Sequence, residues 1–378
     1  MHAKPVAVYG ARGHTGQFVV RELERRGRSI VSIGRNPVPQ SADRAGDGRN
    51  EWRCASCDDP DALDEALRGA CAVINCAGPF LDTAPALIEA ALRADIHYFD
   101  ISAEQRSVRQ SLATFDEEAR ARGTVVLPAM AFYGGLADLL AAQLTRGTEC
   151  VERIEIGVAL DHWHPTEGTR ETGHRNTARR LIVADGQLAP MPRPAPVRAW
   201  TFPKPFGVQE VVAVPLSEIV TINRHIAVRN VCSYMNSAPL RDLADPRTPP
   251  PEPTDSSGRS SQRFVVDVRA SAGNSQTRIA VTGLDIYAVT APMVVEACLR
   301  VVEDPPAIGG AYAPAELFDA GQFLSTLASQ LAIIRPLDST IGAHGESTRP
   351  VQCEREPGPA IEPRSPQRDR SAEPLRRI

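Results

Sequence analysis

The chain has 378 residues, 42% of them hydrophobic, and a formal net charge of −4. That length and composition suit two ordinary domains with a proper core, and the charge offers no general attraction to nucleic acid or an anionic membrane. No apolar run reaches the roughly 18 residues a membrane helix needs, and Met1-His2-Ala3-Lys4 leads straight into an apolar run, which predicts no signal peptide.

The first predicted strand, Val6-Ala7-Val8-Tyr9, is followed by Gly10-Ala11-Arg12-Gly13-His14-Thr15-Gly16 and a helix carrying Phe18, Val19 and Leu23. Strand, glycine loop and helix start form a dinucleotide-binding turn. Gly10 permits the tight exit, Gly13 lets backbone approach a pyrophosphate, and Gly16 lets the helix pack close to the sheet. The anion then meets free N–H groups and the positive end of the helix dipole, with His14 and Thr15 at the helix start. The spacing is GxxGxxG rather than GxGxxG, so the turn alone is a weak signal.

The second strand, Ile30–Gly34, ends in Arg35-Asn36, about twenty residues past the loop, where the ribose 2′ position is read. An NAD site places Asp or Glu there. Arg35, with Arg12 in the loop, suits a 2′-phosphate and therefore NADP(H) in preference to NAD(H). Residues 40–50 are polar and predicted to be flexible. A third strand is expected at Glu51–Ala55, and Asp58-Asp59-Pro60 caps the next helix. Cys57 and Asp58 fall where such folds cover the adenine.

A fourth strand, Cys71–Asn75, ends in Cys76-Ala77-Gly78-Pro79-Phe80, a turn expected along the cofactor. A helix at Thr83–Arg93 leads to a fifth strand at Ile96–Asp100, whose last residue is expected to point into the crevice. One long helix, Ala103–Arg122, precedes a sixth strand at Thr124–Pro128. Six alternations of strand and helix require a doubly wound parallel sheet.

After Pro128 the rhythm changes. Strand-like runs at Val151–Leu160, Glu210–Ile219, Asn230–Tyr234, Gln262–Ala270 and Thr277–Thr282 suit a mostly antiparallel sheet in a second, α+β domain. Thr172–Leu181 is the one helix expected among them. Proline-rich stretches at Pro190–Pro205 and Asp245–Ser261 suggest insertions or a lid. An apolar helix at Ala288–Val302 follows. The expected organisation is residues 1–130 as a Rossmann domain, 131–285 as an α+β substrate and dimerisation domain, 286–335 as helices packing back, and 336–378 as a disordered tail.

Three segments together resemble the saccharopine dehydrogenase-like oxidoreductases: Val8–Gly16, Val73–Phe80 and His97–Glu104. Weaker echoes are Tyr133–Leu139, Gly168–Thr172 and Asp285–Ala291. The resemblance implies NADP(H)-linked redox chemistry with a second domain over the nicotinamide. Members reduce imines formed between an amine and a carbonyl, and a lipid-pathway branch reduces carbon–carbon double bonds in trans. This chain departs from the pattern at Ser102-Ala103-Glu104 and Asp82-Thr83-Ala84. Its two lysines, Lys4 and Lys204, are badly placed for the lysine/histidine pair of members acting on saccharopine, so saccharopine is not assigned as substrate.

Hydride transfer needs one group able to give or take a proton. Asp100 and Tyr133 are the candidates, although Asp100 would equally cap the following helix and Tyr133 would equally pack as a core side chain. Glu104, His162, His164 and Arg170 are substrate-pocket candidates. Arg170, Arg175, Arg179 and Arg180 could bind a carboxylate or phosphate on the substrate, or form a solvated helix face. No metal site is expected: the Cys54/Cys57 pair lacks a second pair, and the His162/His164/His174 group lacks an acidic or cysteine partner at a matching interval. Eight cysteines, several in predicted strands, suggest free thiols in a reducing compartment, hence a cytoplasmic protein. The expected partner is a small-molecule substrate, with any homodimer contact in the second domain. A non-catalytic NADP-binding scaffold and a trans-acting enoyl reductase are the alternative readings.

Overall fold

The computed structural model describes residues 4–37 and 50–334, so the expected flexible stretch after Asn36 and the expected tail lie largely outside the described residues. The first sheet begins with β1 (Val6–Tyr9), α1 (His14–Arg25), β2 (Ile30–Gly34), β3 (Asn50–Cys54) and α2 (Pro60–Leu67). It continues through β4 (Ala72–Asn75), α3 (Phe80–Arg93), β5 (His97–Asp100), α4 (Gln105–Thr114), α5 (Asp116–Arg122) and β6 (Val125–Leu127). Every residue of β1, β4 and β6 is buried, as expected of strands covered by helices on both faces. The single long helix expected over Ala103–Arg122 is two, broken at Phe115 (φ −105°, ψ 1°), whose ring is buried.

The chain then crosses into the second sheet through α6 (Ala137–Thr145), β7 (Val151–Leu160), α7 (Glu167–Arg175), β8 (Leu181–Ala184), β9 (Gln187–Pro190), β10 (Val197–Thr201) and β11 (Val208–Ala213). It is completed by α8 (Glu218–His225), β12 (Val228–Asn236), α9 (Ser237–Ala244), β13 (Arg263–Ala272) and β14 (Ser275–Leu284). The strand expected over Glu210–Ile219 stops at Ala213. Pro215 has no N–H to give a ladder, and the chain turns into α8, where the Glu218 carboxylate accepts the Leu216 N–H at 2.9 Å. The helix expected at Thr172–Leu181 lies earlier, capped by Thr166, whose hydroxyl accepts the Thr169 N–H at 3.1 Å. The first proline-rich stretch holds β10.

The last segment serves both sheets: α10 (Thr290–Glu303), β15 (Gly310–Ala311), α11 (Pro314–Leu317), α12 (Ala320–Thr326) and β16 (Leu331–Ile334). Helix α10 packs on α1 and behind β4 and β5, with Arg26 bridging Glu22 at 2.8 Å and Glu296 at 2.5 Å. Among the described residues the first sheet is parallel throughout, in the order β15-β6-β5-β4-β1-β2-β3. The second runs β10-β11-β12-β7-β13-β14-β16, with β8 and β9 attached at β12, and only its β12–β7 pair is parallel. The strand order of the first sheet reverses between β1 and β4. In such sheets that reversal opens the ligand crevice at the carboxyl ends.

A buried polar joint ties α6, α8 and α11 together. The imidazole of His225 lies 2.8 Å from Asp138, whose second oxygen accepts the Ala315 N–H at 2.8 Å. Burial works against a charged imidazole there, but the Asp138 carboxylate, its hydrogen bond and nearby Glu316 outweigh it and raise the His225 pKa. Stability from the charged pair is therefore complete below the unfolded histidine value and lost as pH climbs through the folded one. His225→Gln should cost clearly more stability at about pH 6 than at about pH 9 in urea unfolding; an equal cost at both would contradict the charged pair.

Candidate functional site: a glycine turn at the sheet switch point

The exit from β1 is built around two close approaches. Gly10 has φ +76°, and a Cβ on it would stand 2.9 Å from that of Ala77. A Cβ on Gly16 would stand 2.1 Å from the Gly10 carbonyl oxygen, so α1 starts hard against the strand. Gly10 donates to Ile33 O at 2.9 Å and Gly13 donates back to Gly10 O at 2.9 Å, which closes the turn. The first i→i−4 bond of α1 is Gln17 N–H to Gly13 O, leaving the N–H groups of His14, Thr15 and Gly16 without helical partners. Arg12 and Gly13 are exposed, His14 and Thr15 are partly exposed, and Gly16 is buried against the strand.

The surrounding loops are braced. Asn75 donates to Thr83 and to Tyr98, both at 3.1 Å, and accepts the Ala77 N–H at 3.0 Å; Thr83 donates to Ala77 O at 2.7 Å. Residues Cys76–Phe80 are thus held beside the glycine turn. At the tip of β2, Arg35 and Asn36 are exposed, and Arg35 forms no ion pair among the described residues. The Trp52 ring lies on Gly34, with the Arg12 guanidinium 5.9 Å from the ring centre. Asp59 rather than Asp58 caps α2, accepting Ala62 N–H at 3.0 Å, and Asp58 stays exposed. Cys57 touches the Tyr9 hydroxyl at 3.1 Å.

The second sheet comes over this turn by an aromatic row. The His14 ring packs edge-on to Tyr287 at 5.2 Å. The Tyr287 hydroxyl accepts from Trp163 Nε1 at 2.9 Å and meets Thr169 at 3.1 Å; Trp163 lies 6.0 Å from the Tyr133 ring. Burial lowers the His14 pKa, with Arg21 adding to the effect against Asp285, so its imidazole is held toward neutral. Helix α7 completes the cover: Thr172 packs directly on Gly78, and Arg175 pairs with Asp82 at 2.7 Å.

Several sequence expectations are corrected here. Asp100 does not face the crevice. It is fully buried, and its carboxylate accepts Ala129 N–H at 2.8 Å, Ser102 N–H at 2.9 Å and the Tyr98 hydroxyl at 2.9 Å, tying β5 to β6. Glu104 is also buried; one carboxylate oxygen accepts Phe80 N–H at 2.7 Å at the first turn of α3, and Oε2 is enclosed without a hydrogen-bond partner among the described residues. Arg170 spends its guanidinium on three carbonyls, Leu243, Asp245 and Thr248. His162 pairs with Asp161 at 2.8 Å and stacks obliquely on His164 at 4.7 Å.

Tyr133 keeps its candidacy. Its hydroxyl is enclosed and without a hydrogen-bond partner. Burial, reinforced by Tyr287 and Glu218 against the opposing charge of Arg180, raises its pKa well above the usual tyrosine range, so it stays a proton donor. Glu218 was missed from sequence because a charged helix start carries no periodic or motif signal; Tyr287 lies within the Asp285–Ala291 echo but was not singled out.

Burial is the leading cause that raises the Asp100 pKa to about 6, against its three hydrogen bonds. The folded state then holds this proton more tightly than the unfolded chain, so the group's contribution to stability falls as pH rises from about 4 to about 6. In Asp100→Asn the amide oxygen can keep both backbone donors. The variant should bind NADPH like the parent and match or exceed its stability at about pH 7.5, by up to about 2 kcal/mol. Loss of NADPH binding in a folded Asp100→Asn variant would return Asp100 to the site.

Residues 6–127 match the family model described as the saccharopine dehydrogenase NADP binding domain. The chain is 29% identical over 162 residues to a "probable mitochondrial saccharopine dehydrogenase-like oxidoreductase" of Arabidopsis thaliana, covering 36% of this chain and 34% of that one. It is 28% identical over 152 residues to the saccharopine dehydrogenase-like oxidoreductase of Bos taurus, covering 35% of each. The chain thus spans about a third of the length of these relatives. In fold it is similar to apo saccharopine dehydrogenase (L-Glu forming) of Saccharomyces cerevisiae, with a TM-score of 0.61 at 13% identity, covering 88% of this chain and 99% of that one. Residues 6–127 are thus similar to the NADP-binding domain of the saccharopine dehydrogenase family, and the whole fold is similar to that of a saccharopine dehydrogenase.

Proposed function

We propose that the chain is an NADP(H)-dependent oxidoreductase that moves a hydride to or from a C=N, C=O or C=C group of a small metabolite. The observation that carries this reading is the α1 terminus at the sheet switch point, flanked by Arg12 and Arg35 with no carboxylate at the described tip of β2. The residues present fit the cofactor. The amides of His14, Thr15 and Gly16 would hold the diphosphate, Arg35 and Arg12 the 2′-phosphate, and the Cys76–Phe80 loop would lie along the dinucleotide. The nicotinamide would supply the hydride.

The chain's own contribution is positional and protic. Helix α7 and the aromatic row lie beside the turn, and Tyr133 holds a phenolic proton in an enclosed site. With Asp100 and Glu104 tied to backbone, Tyr133 is the better of the two catalytic candidates. A small-molecule substrate and a cytoplasmic location belong to the same proposal. Among the described residues no helix is long and apolar enough to cross a membrane.

Arg35→Ala tests the reading. In fluorescence titrations NADPH should bind the parent at least about tenfold more tightly than NADH, and the substitution should erase most of that preference while leaving NADH affinity nearly unchanged. Equal binding of the two cofactors by the parent would overturn the NADP assignment.

A further inference from the structure

Outside the crevice, four arginines converge on one cavity of about 120 Å³, framed by the start of α4, the strand-free stretch before β8 and the turn before α8. Arg106, Arg109, Arg179 and Arg180 line it together with Gln105 and Asn176, and among the described residues no acidic side chain does. The frame is built rather than incidental. The buried Gln105 amide donates to Leu181 O at 2.8 Å and Leu216 O at 2.9 Å and accepts Leu181 N–H at 2.7 Å. Arg180 donates to Pro215 O at 2.9 Å and Arg179 to Met191 O at 3.0 Å.

Many other arginines of the chain sit on carboxylates; among the described residues none of these four forms an ion pair. Arg106 and Arg109 stand one turn apart on α4, both exposed and both without a hydrogen-bond partner. Three of the four are exposed and hydrated, and an anion entering the cavity would take charge-assisted hydrogen bonds from several guanidiniums at once. Each water needs roughly 10–15 Å³ of such space, so the cavity holds several and admits a carboxylate or phosphate group. It also adjoins the proposed proton donor: Arg180 is one of the charges felt by both the Tyr133 hydroxyl and the buried Glu218 carboxyl.

We infer that this arginine-lined cavity is the subsite for an anionic group, carboxylate or phosphate, of the substrate. The assignment rests on the oxidoreductase reading for the word substrate, and on the cavity alone for the anion. A substrate carrying such a group would be fixed at one end by the guanidinium forks, with its reducible end free to lie toward Tyr133.

The test is calorimetric titration of the full chain with inorganic phosphate and, separately, glutarate, with the cofactor site saturated by NADP⁺. At least one anion should bind, and Arg106→Ala/Arg109→Ala should weaken it at least about tenfold. Arg106→Lys/Arg109→Lys should recover most of the affinity, and Arg68→Ala/Arg247→Ala, at two exposed arginines outside the cavity lining, should leave it unchanged. The tighter of the two anions names the substrate's charged group. No binding of either anion, or binding indifferent to the α4 double variants, would overturn the inference. Failure of NADP⁺ to bind would instead sink the oxidoreductase reading, and the loss caused by the α4 double variant in titrations without cofactor would still report on the cavity.

Discussion

The first sheet depends on a close approach between the start of α1 and the strand before it. A side chain at residue 16 would need to occupy the position of the Gly10 carbonyl oxygen, 2.1 Å away. Only because that side chain is missing can α1 begin directly at the end of β1, with its first amides free of helical partners at the reversal of strand order. Those amides carry the positive end of the helix dipole, and a diphosphate is the anion such a terminus accommodates. The NADP-binding domain match covers residues 6–127, the same stretch that this contact organises.

The second sheet is positioned by that turn. His14 on α1 meets Tyr287 after β14, Tyr287 bonds Trp163 after β7, and Trp163 faces Tyr133 after β6. The row is fixed at Tyr287 by Asp285, a buried residue at φ +57° whose carboxylate accepts the Tyr287, Ala288 and Ser260 N–H groups. The glycine turn, Tyr133 and the residues between them are therefore linked through one row of contacts.

Much of the first sheet was legible because its strands are buried on both faces and read as short apolar runs cut by glycine. The loops that would hold the cofactor were legible for the same reason, since ligands gather at strand ends. The second sheet was less so: β10 sits inside a proline-rich stretch, and the turn at Pro215 converts an apparent strand into α8. The site acids were misread because sequence shows a carboxylate at a strand end but not its burial. Asp100 and Glu104 fall where a catalytic acid is expected, yet backbone N–H groups claim both. Arg170 was misjudged in the same way, its charge being spent on a loop of carbonyls brought in from residues 243–248. Tyr133 was placed correctly in the loop after β6, but its enclosed, unpartnered hydroxyl depends on contacts from β7, α8 and β14 that no local pattern encodes.

The central claim is that the α1 terminus receives a diphosphate. Crystals of the full chain soaked with NADP⁺ test it most directly. The account predicts diphosphate oxygens within hydrogen-bond range, about 2.7–3.2 Å, of the His14, Thr15 or Gly16 amides, with the 2′-phosphate beside Arg35. A dinucleotide bound elsewhere, with no phosphate on those amides, would contradict it.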